Sequence, residues 1–131
     1  MKKIKIHHIG FVVKDIDFFE KNLIYTEILD KVYDPIQKAN LALYQVDYKD
    51  SSMIELIQPM DEKSLTFNFL KNNRNNFHHI CYQIDSFESL KYFENNYRLI
   101  KVFGPVKSIL FDRNVVFYFN RNKQIVEFVE K

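Results

Sequence analysis

Two histidines and two glutamates in this 131-residue chain, residue types that bind metals, recur at matched places. Ile6-His7-His8-Ile9-Gly10-Phe11-Val12-Val13 reappears as Phe77-His78-His79-Ile80-Cys81-Tyr82-Gln83-Ile84, so that His79 follows His8 by 71 residues. Met53-Ile54-Glu55-Leu56-Ile57 reappears as Ile125-Val126-Glu127-Phe128-Val129, at an offset of 72. In each half a strand-borne histidine, His8 or His79, is thus followed 47 or 48 residues later by a strand-borne glutamate. Self-similarity at a fixed spacing marks a duplicated structural unit. Two imidazoles and two carboxylates form an N₂O₂ donor set whose charge neutralises a divalent cation, and without thiolates it suits Co, Ni, Zn, Mn or Fe.

Both motifs must sit on strands for this to work. Their residues are β-branched and aromatic, and neighbours two apart along a strand share one face of a sheet. In the second copy His78, Ile80, Tyr82 and Ile84 share a mostly apolar face, while His79, Cys81 and Gln83 share a polar one. In the first, His7 lies with Ile9, Phe11 and Val13, and His8 with Gly10 and Val12. The apolar faces pack on helices and the others line a cavity, which selects His8 and His79. Ile54 and Leu56 flank Glu55, as Val126 and Phe128 flank Glu127, so both carboxylates point away from the packed layer. A buried carboxylate costs several kcal/mol unless it is paired or metal-bound. No lysine or arginine holds a neighbouring cavity-facing position on these four strands, so a cation is the partner expected. His7 and His78 begin their strands, where solvent or supporting contacts suffice.

The remaining chain is read in order. Ile4 to Val13 is a strand; Asp15 caps a helix carrying Ile16, Phe19 and Leu23, which fades between Asn22 and Tyr25. A weaker extended piece from Lys31 to Tyr33 stops at Asp34-Pro35. Asn40 to Tyr48 is a strand, Lys49 to Ser52 a turn, and Met53 to Gln58 a strand that Pro59 closes. A connecting helix is expected over about 61–73, with Asn72 to Asn76 as a polar loop. Phe77 to Ile84 restarts the pattern and Ser86, 71 residues after Asp15, repeats the cap ahead of Phe87, Leu90 and Phe93. Further strands are expected at Arg98 to Phe103, Lys107 to Phe111, Val115 to Phe119 and Gln124 to Glu130. With two glycines in the chain, Asn and Asp must supply most turn positions of positive φ. The fold class is α+β: two βαβββ modules, about 1–60 and 77–131, forming a curved eight-stranded mixed sheet within one domain of residues 1–131.

Bulk properties exclude other classes. A net charge of +2 argues against nucleic acid, and the apolar runs are too short for a membrane span. Met1-Lys2-Lys3-Ile4-Lys5 lacks the apolar stretch of a secretory signal, and a single cysteine, Cys81, fits a reducing cytoplasm. Tyr44, Phe117 and Tyr118 are expected as core and wall. Lys71 and Arg74 are candidates for the phosphates of a coenzyme, though a solvated loop is their simpler role.

The motifs quoted, together with Ile-Glu-Leu-Ile-x-Pro and a final Val-Glu-Phe-Val-Glu, resemble the vicinal oxygen chelate superfamily (glyoxalase, bleomycin resistance, dioxygenase) over essentially the whole chain. Within it the chain is most similar to methylmalonyl-CoA epimerase and small glyoxalase-like proteins. The resemblance implies one divalent metal held by His8, Glu55, His79 and Glu127, a small-molecule substrate and a homodimer. The helix-bearing connection before His-His-Ile is more epimerase-like; a glutamate at Glu55 resembles bacterial glyoxalases, where epimerases often place glutamine. The loop Asn120 to Lys123 lacks the family's glycine, and the epimerase pattern for a second acid/base residue does not map onto Asp34-Pro35-Ile36-Gln37. The implied chemistry is removal of a proton next to a polarised carbonyl, with Glu127 and Glu55 as catalytic carboxylates. Return of the proton to the opposite face gives epimerisation of an acyl-CoA thioester; delivery to the next carbon gives a glyoxalase I-type lactoylglutathione lyase. A metal-free antibiotic-binding protein is the non-catalytic alternative.

Overall fold

The computed structural model describes residues 3–47, 52–72 and 75–131. The chain divides into two compact units, one of residues 8–78, the other joining the residues up to His7 to 79–131. Among the described residues, eight strands and three α-helices run in the order β1 (Ile4–Val12), α1 (Ile16–Glu20), β2 (Glu27–Asp34), β3 (Ala39–Gln45), β4 (Met53–Pro59), α2 (Phe67–Asn72), β5 (Phe77–Ile84), α3 (Leu90–Tyr97), β6 (Ile100–Lys107), β7 (Asn114–Phe119) and β8 (Ile125–Glu130). Both expected βαβββ modules are present, and the strand pairing is mixed.

In the first unit the strands run β2-β3-β4-β1. β2 with β3 and β3 with β4 are antiparallel, and β4 closes on β1 in parallel. Asp15 caps α1, accepting hydrogen bonds from the amides of Asp17 and Phe18. Ile16 then packs with Val13, Ala42, Tyr44 and Leu56, and Phe11, Phe19, Leu23 and Tyr25 complete that layer. The helix ends at Glu20, two residues before the expected fade. The edge strand β2 is longer than expected and mostly exposed.

The second unit repeats the plan as β5-β8-β7-β6, with β5 and β8 parallel and the other pairs antiparallel. Ser86 caps a short 3₁₀ turn, Phe87–Ser89, that leads into α3. Leu90 and Phe93 pack on Ile84, Val116, Tyr118 and Phe128. The edge strand β6 tolerates Pro105, because an edge needs no amide donor there.

Three expectations need correction. Lys107 to Phe111 is not a strand of its own: β6 runs unbroken to Lys107 and the chain then turns, with Asp112 donating its amide to Ser108 and Ser108 its own to Arg113. The connecting helix starts only at Phe67, because before it Asp61 accepts the Lys63 amide in a turn and the buried Ser64 hydroxyl donates to the Gln37 carbonyl and meets Thr66. Positive φ falls on Lys38, Arg98 and Lys123 as well as Asp112, so basic residues carry most of it. The side chains at the turn starts explain this. Asp34 accepts from the amides of Ile36 and Gln37 just before Lys38, and Asn120 from those of Asn122 and Gln124 around Lys123. Asx side chains set the turn, and the exposed residue after it takes the left-handed conformation. Of the expected turn Lys49 to Ser52, residues 49–51 lie outside the described residues. Among those described, no helix is long and apolar enough to cross a membrane.

Candidate metal centre

In the first unit, β1 and β4 set Gly10 opposite Glu55. Register partners share a face, so His8, two residues before Gly10, stands on Glu55's side of the sheet. His8 Nε2 lies 3.4 Å from Glu55 Oε1. In the second unit β5 and β8 set Cys81 opposite Glu127, and His79 again stands two residues earlier. Here Nε2 and Oε1 are 3.0 Å apart. The two units thus hold the same pair, on the same strands of the module, at the same register. Relative exposures are 0% for His8, 6% for Glu55, 1% for His79 and 4% for Glu127. Each pair offers one imidazole nitrogen and one carboxylate oxygen, all from buried residues.

The donor geometry fits a cation. Ligand atoms about 2.0–2.2 Å from a metal and at right angles to each other are about 3 Å apart, which matches both pairs. The atoms that face each other, Nε2 and a carboxylate oxygen, are the ones that ligate. Among the described residues no buried side-chain nitrogen or oxygen lacks a hydrogen-bond partner, so neither pair is a folding defect.

The supporting layer is also repeated. Three residues beyond Glu55, Gln58 Oε1 accepts the amide hydrogen of Ile16 at 2.9 Å; three beyond Glu127, Glu130 Oε2 accepts that of Phe87 at 2.9 Å. Each glutamate-bearing strand is therefore tied to the first turn of its module's helix. Phe117, opposite Glu127, places its ring edge-on to His79 with centroids 6.2 Å apart.

The other residues singled out fall elsewhere. His78 meets the edge of Phe69 at 4.8 Å. Tyr44 and Tyr118 are fully buried on the helix side, while Phe117 stands on the site side. Lys71 is exposed at the end of α2, and Arg74 lies outside the described residues. His7 departs from expectation: it is buried, meets the edge of Phe111 at 4.7 Å, and bonds Arg113 Nη2 at 2.8 Å. Phe111 packs with Cys81, Val115 and Val129, so His7 is turned to the cavity-type face instead of the helices. Arg113 is the functional candidate that sequence reasoning missed. It appeared only as a turn residue, and no periodicity signals that its side chain folds back over β5.

Residues 7–109 match the family profile of the Glyoxalase/Bleomycin resistance protein/Dioxygenase superfamily. The chain belongs to this superfamily. The matched segment holds His8, Glu55 and His79 and ends before Glu127. Solved structures share the fold along nearly the full length. A protein described as hypothetical, BH1468 from Bacillus halodurans C-125, superposes with a TM-score of 0.83 at 24% identity, covering 99% of this chain and 96% of that one. A methylmalonyl-CoA epimerase from Mycobacterium tuberculosis gives 0.80 at 17%, covering 95% and 86%. A Streptomyces coelicolor methylmalonyl-CoA epimerase variant in complex with 2-nitronate-propionyl-CoA gives 0.80 at 19%, covering 97% and 94%. A search of curated proteins finds no match.

Proposed function

We propose that this superfamily member is a divalent-metal-dependent enzyme that abstracts the proton next to a substrate carbonyl, with His8, Glu55, His79 and Glu127 as ligands of one cation. The observation that carries this is the buried His–Glu pair present twice, at the same register of two modules. When bound, the cation supplies a Lewis acid for the carbonyl oxygen, worth several kcal/mol of the barrier.

The protein's own residues do the proton chemistry. Glu127 is the base, taking the proton at a carboxylate oxygen. Glu55, the equivalent carboxylate of the other module, returns a proton. The two imidazoles, both buried, are the nitrogen donors of the set and keep it rigid.

The substrate class favoured is an acyl-CoA thioester, as in methylmalonyl-CoA epimerase, whose structures share this fold over 95–97% of the chain. A glyoxalase I-type reaction on a hemithioacetal is the second reading, supported by a carboxylate at Glu55 where an amide serves an epimerase. A non-catalytic antibiotic-binding protein has no use for two buried His–Glu pairs.

The test is metal analysis of the purified protein, then NMR of deuterium uptake from D₂O into a branched acyl-CoA thioester and into the hemithioacetal of methylglyoxal. Near-stoichiometric divalent metal with exchange in the thioester is the expected result. Exchange in the hemithioacetal alone selects the lyase. Equal metal content in wild type and in the His8→Ala/His79→Ala variant would sink the site.

A further inference from the structure

We infer that Arg113 is a specificity-determining residue that binds an anionic group, carboxylate or phosphate, on the ligand of the second unit's polar face. Arg113 is a half-buried residue whose guanidinium donates from Nη1 to Gln83 Oε1 at 3.1 Å and from Nη2 to the His7 ring at 2.8 Å. An arginine has no lone pair to accept with, so His7 Nε2 is the acceptor and its ring is the neutral Nδ1–H tautomer. Both partners are therefore neutral.

Among the described residues no carboxylate lies within ion-pair distance of Arg113. The acid beside it in sequence, Asp112, points to solvent and pairs with Lys107 at 3.0 Å. A partly desolvated cation held by neutral acceptors alone is costly unless an anion completes it. Two neutral bonds fix the planar fork, and the guanidinium carries five N–H donors, enough to take an oxyanion on two of them. If its role were only to pin His7, a neutral donor would do so without burying a charge.

The placement points to the ligand face. Gln83 shares its side of β5 with His79 and Cys81. Phe111, two residues before Arg113, packs against Cys81 and Val129, the register neighbours of Glu127 and Gln83. The turn from Ser108 to Arg113 holds this in place through the Ser108 amide bond to the Arg113 carbonyl at 2.9 Å. Gln83 is four residues from His79, about 13 Å by strand rise, so the anion belongs to a part of the ligand several bonds from its carbonyl. This deepens the proposed function, and only the link to a reacting carbonyl rests on it.

The experiment titrates the metal-loaded protein with inorganic phosphate, with glutarate and with neutral glutaramide, following the Gln83 side-chain amide and the His7 ring by NMR. Saturable shifts with phosphate or glutarate and none with glutaramide are expected, and whichever anion acts identifies the group. Arg113→Gln is expected to weaken that anion by about tenfold or more, and Arg113→Lys by less. Unchanged shifts in Arg113→Gln, or no response to either anion in wild type, overturn the assignment. In the exchange assay Arg113→Gln should raise KM and spare kcat for thioesters with a remote carboxylate, leaving their methyl-terminated analogues unaffected. Anion binding without exchange in any thioester would retire the enolate reading and leave Arg113's role standing.

Discussion

Tyr44 donates its phenol hydrogen to Glu20 Oε1 at 2.7 Å, joining β3 to α1. The second unit repeats the bond: Tyr118 donates to Glu94 Oε2 at 2.7 Å, joining β7 to α3. Both phenols lie at the end of a fully buried ring. Each fixes a helix against the sheet whose other face carries a His–Glu pair.

Replacing either tyrosine by phenylalanine should cost about 1.5–3 kcal/mol, the range for a hydrogen bond to a charged group. Denaturant midpoints of Tyr44→Phe and Tyr118→Phe check this. Metal content should be unchanged, since neither residue touches the donor atoms.

The same bonds make a pH prediction. Burial first, and the hydrogen bond to the glutamate second, push both phenols well above the usual tyrosine value of 10.0. A group raised in the folded state stabilises fully below its unfolded pKa and loses that contribution as pH rises past it. Stability should therefore fall as pH climbs above 10, and less steeply in the Tyr44→Phe/Tyr118→Phe protein. At the acid end, the hydrogen bond from Lys31 and then that from Tyr44 hold the Glu20 carboxyl below its usual 4.5, so its contribution is present above that value and lost as pH drops through the folded pKa. Urea melts across pH 3–11 read both limbs.

Removal of the metal should lower the melting temperature of the wild type but not of His79→Ala. A cation at a hundredfold excess over its Kd adds about 2.7 kcal/mol, and differential scanning calorimetry with and without chelator measures it. Retention should weaken at acid pH as the imidazoles bind protons in place of metal.

Glu127→Gln should slow α-proton exchange by about 10²–10⁴-fold, the range for a lost general base. Glu55→Gln should retain metal and slow exchange less. A Glu127→Gln protein with wild-type exchange and full metal content would remove Glu127 from the role of base.

Gly104→Ala should destabilise the protein without altering the pairs. Gly104 has φ +97, and an added Cβ would come within 2.7 Å of the Val115 carbonyl oxygen. The backbone conformation alone costs a side chain about 1–3 kcal/mol, and the clash adds to it. Equilibrium unfolding gives the figure.

Much of this was legible from the sequence for a physical reason. Alternation along a strand is a rigid rule, so the apolar flanks of Glu55, Glu127, His8 and His79 disclosed which way each points. Caps are equally local, and Asp15 and Ser86 could be read directly. Arg113 was opaque because a turn residue's side chain has no periodic constraint, and its contacts with Gln83 and His7 are long-range. His7 misled for the related reason that its environment comes from Phe111, remote in sequence. The Tyr–Glu ties went unseen because their spacing is set by helix placement, and the residues around Tyr44 and Tyr118 share no motif.

The parallel closure of each module has one last consequence. Donors arrive in couples: the final strand of a module brings its acid to an imidazole already waiting on the first. Stripping the tail from Ile125 onward would remove Glu127 and uncover His79 in a single stroke. Protease trimming at that end should therefore abolish cation retention abruptly, with no graded weakening on the way.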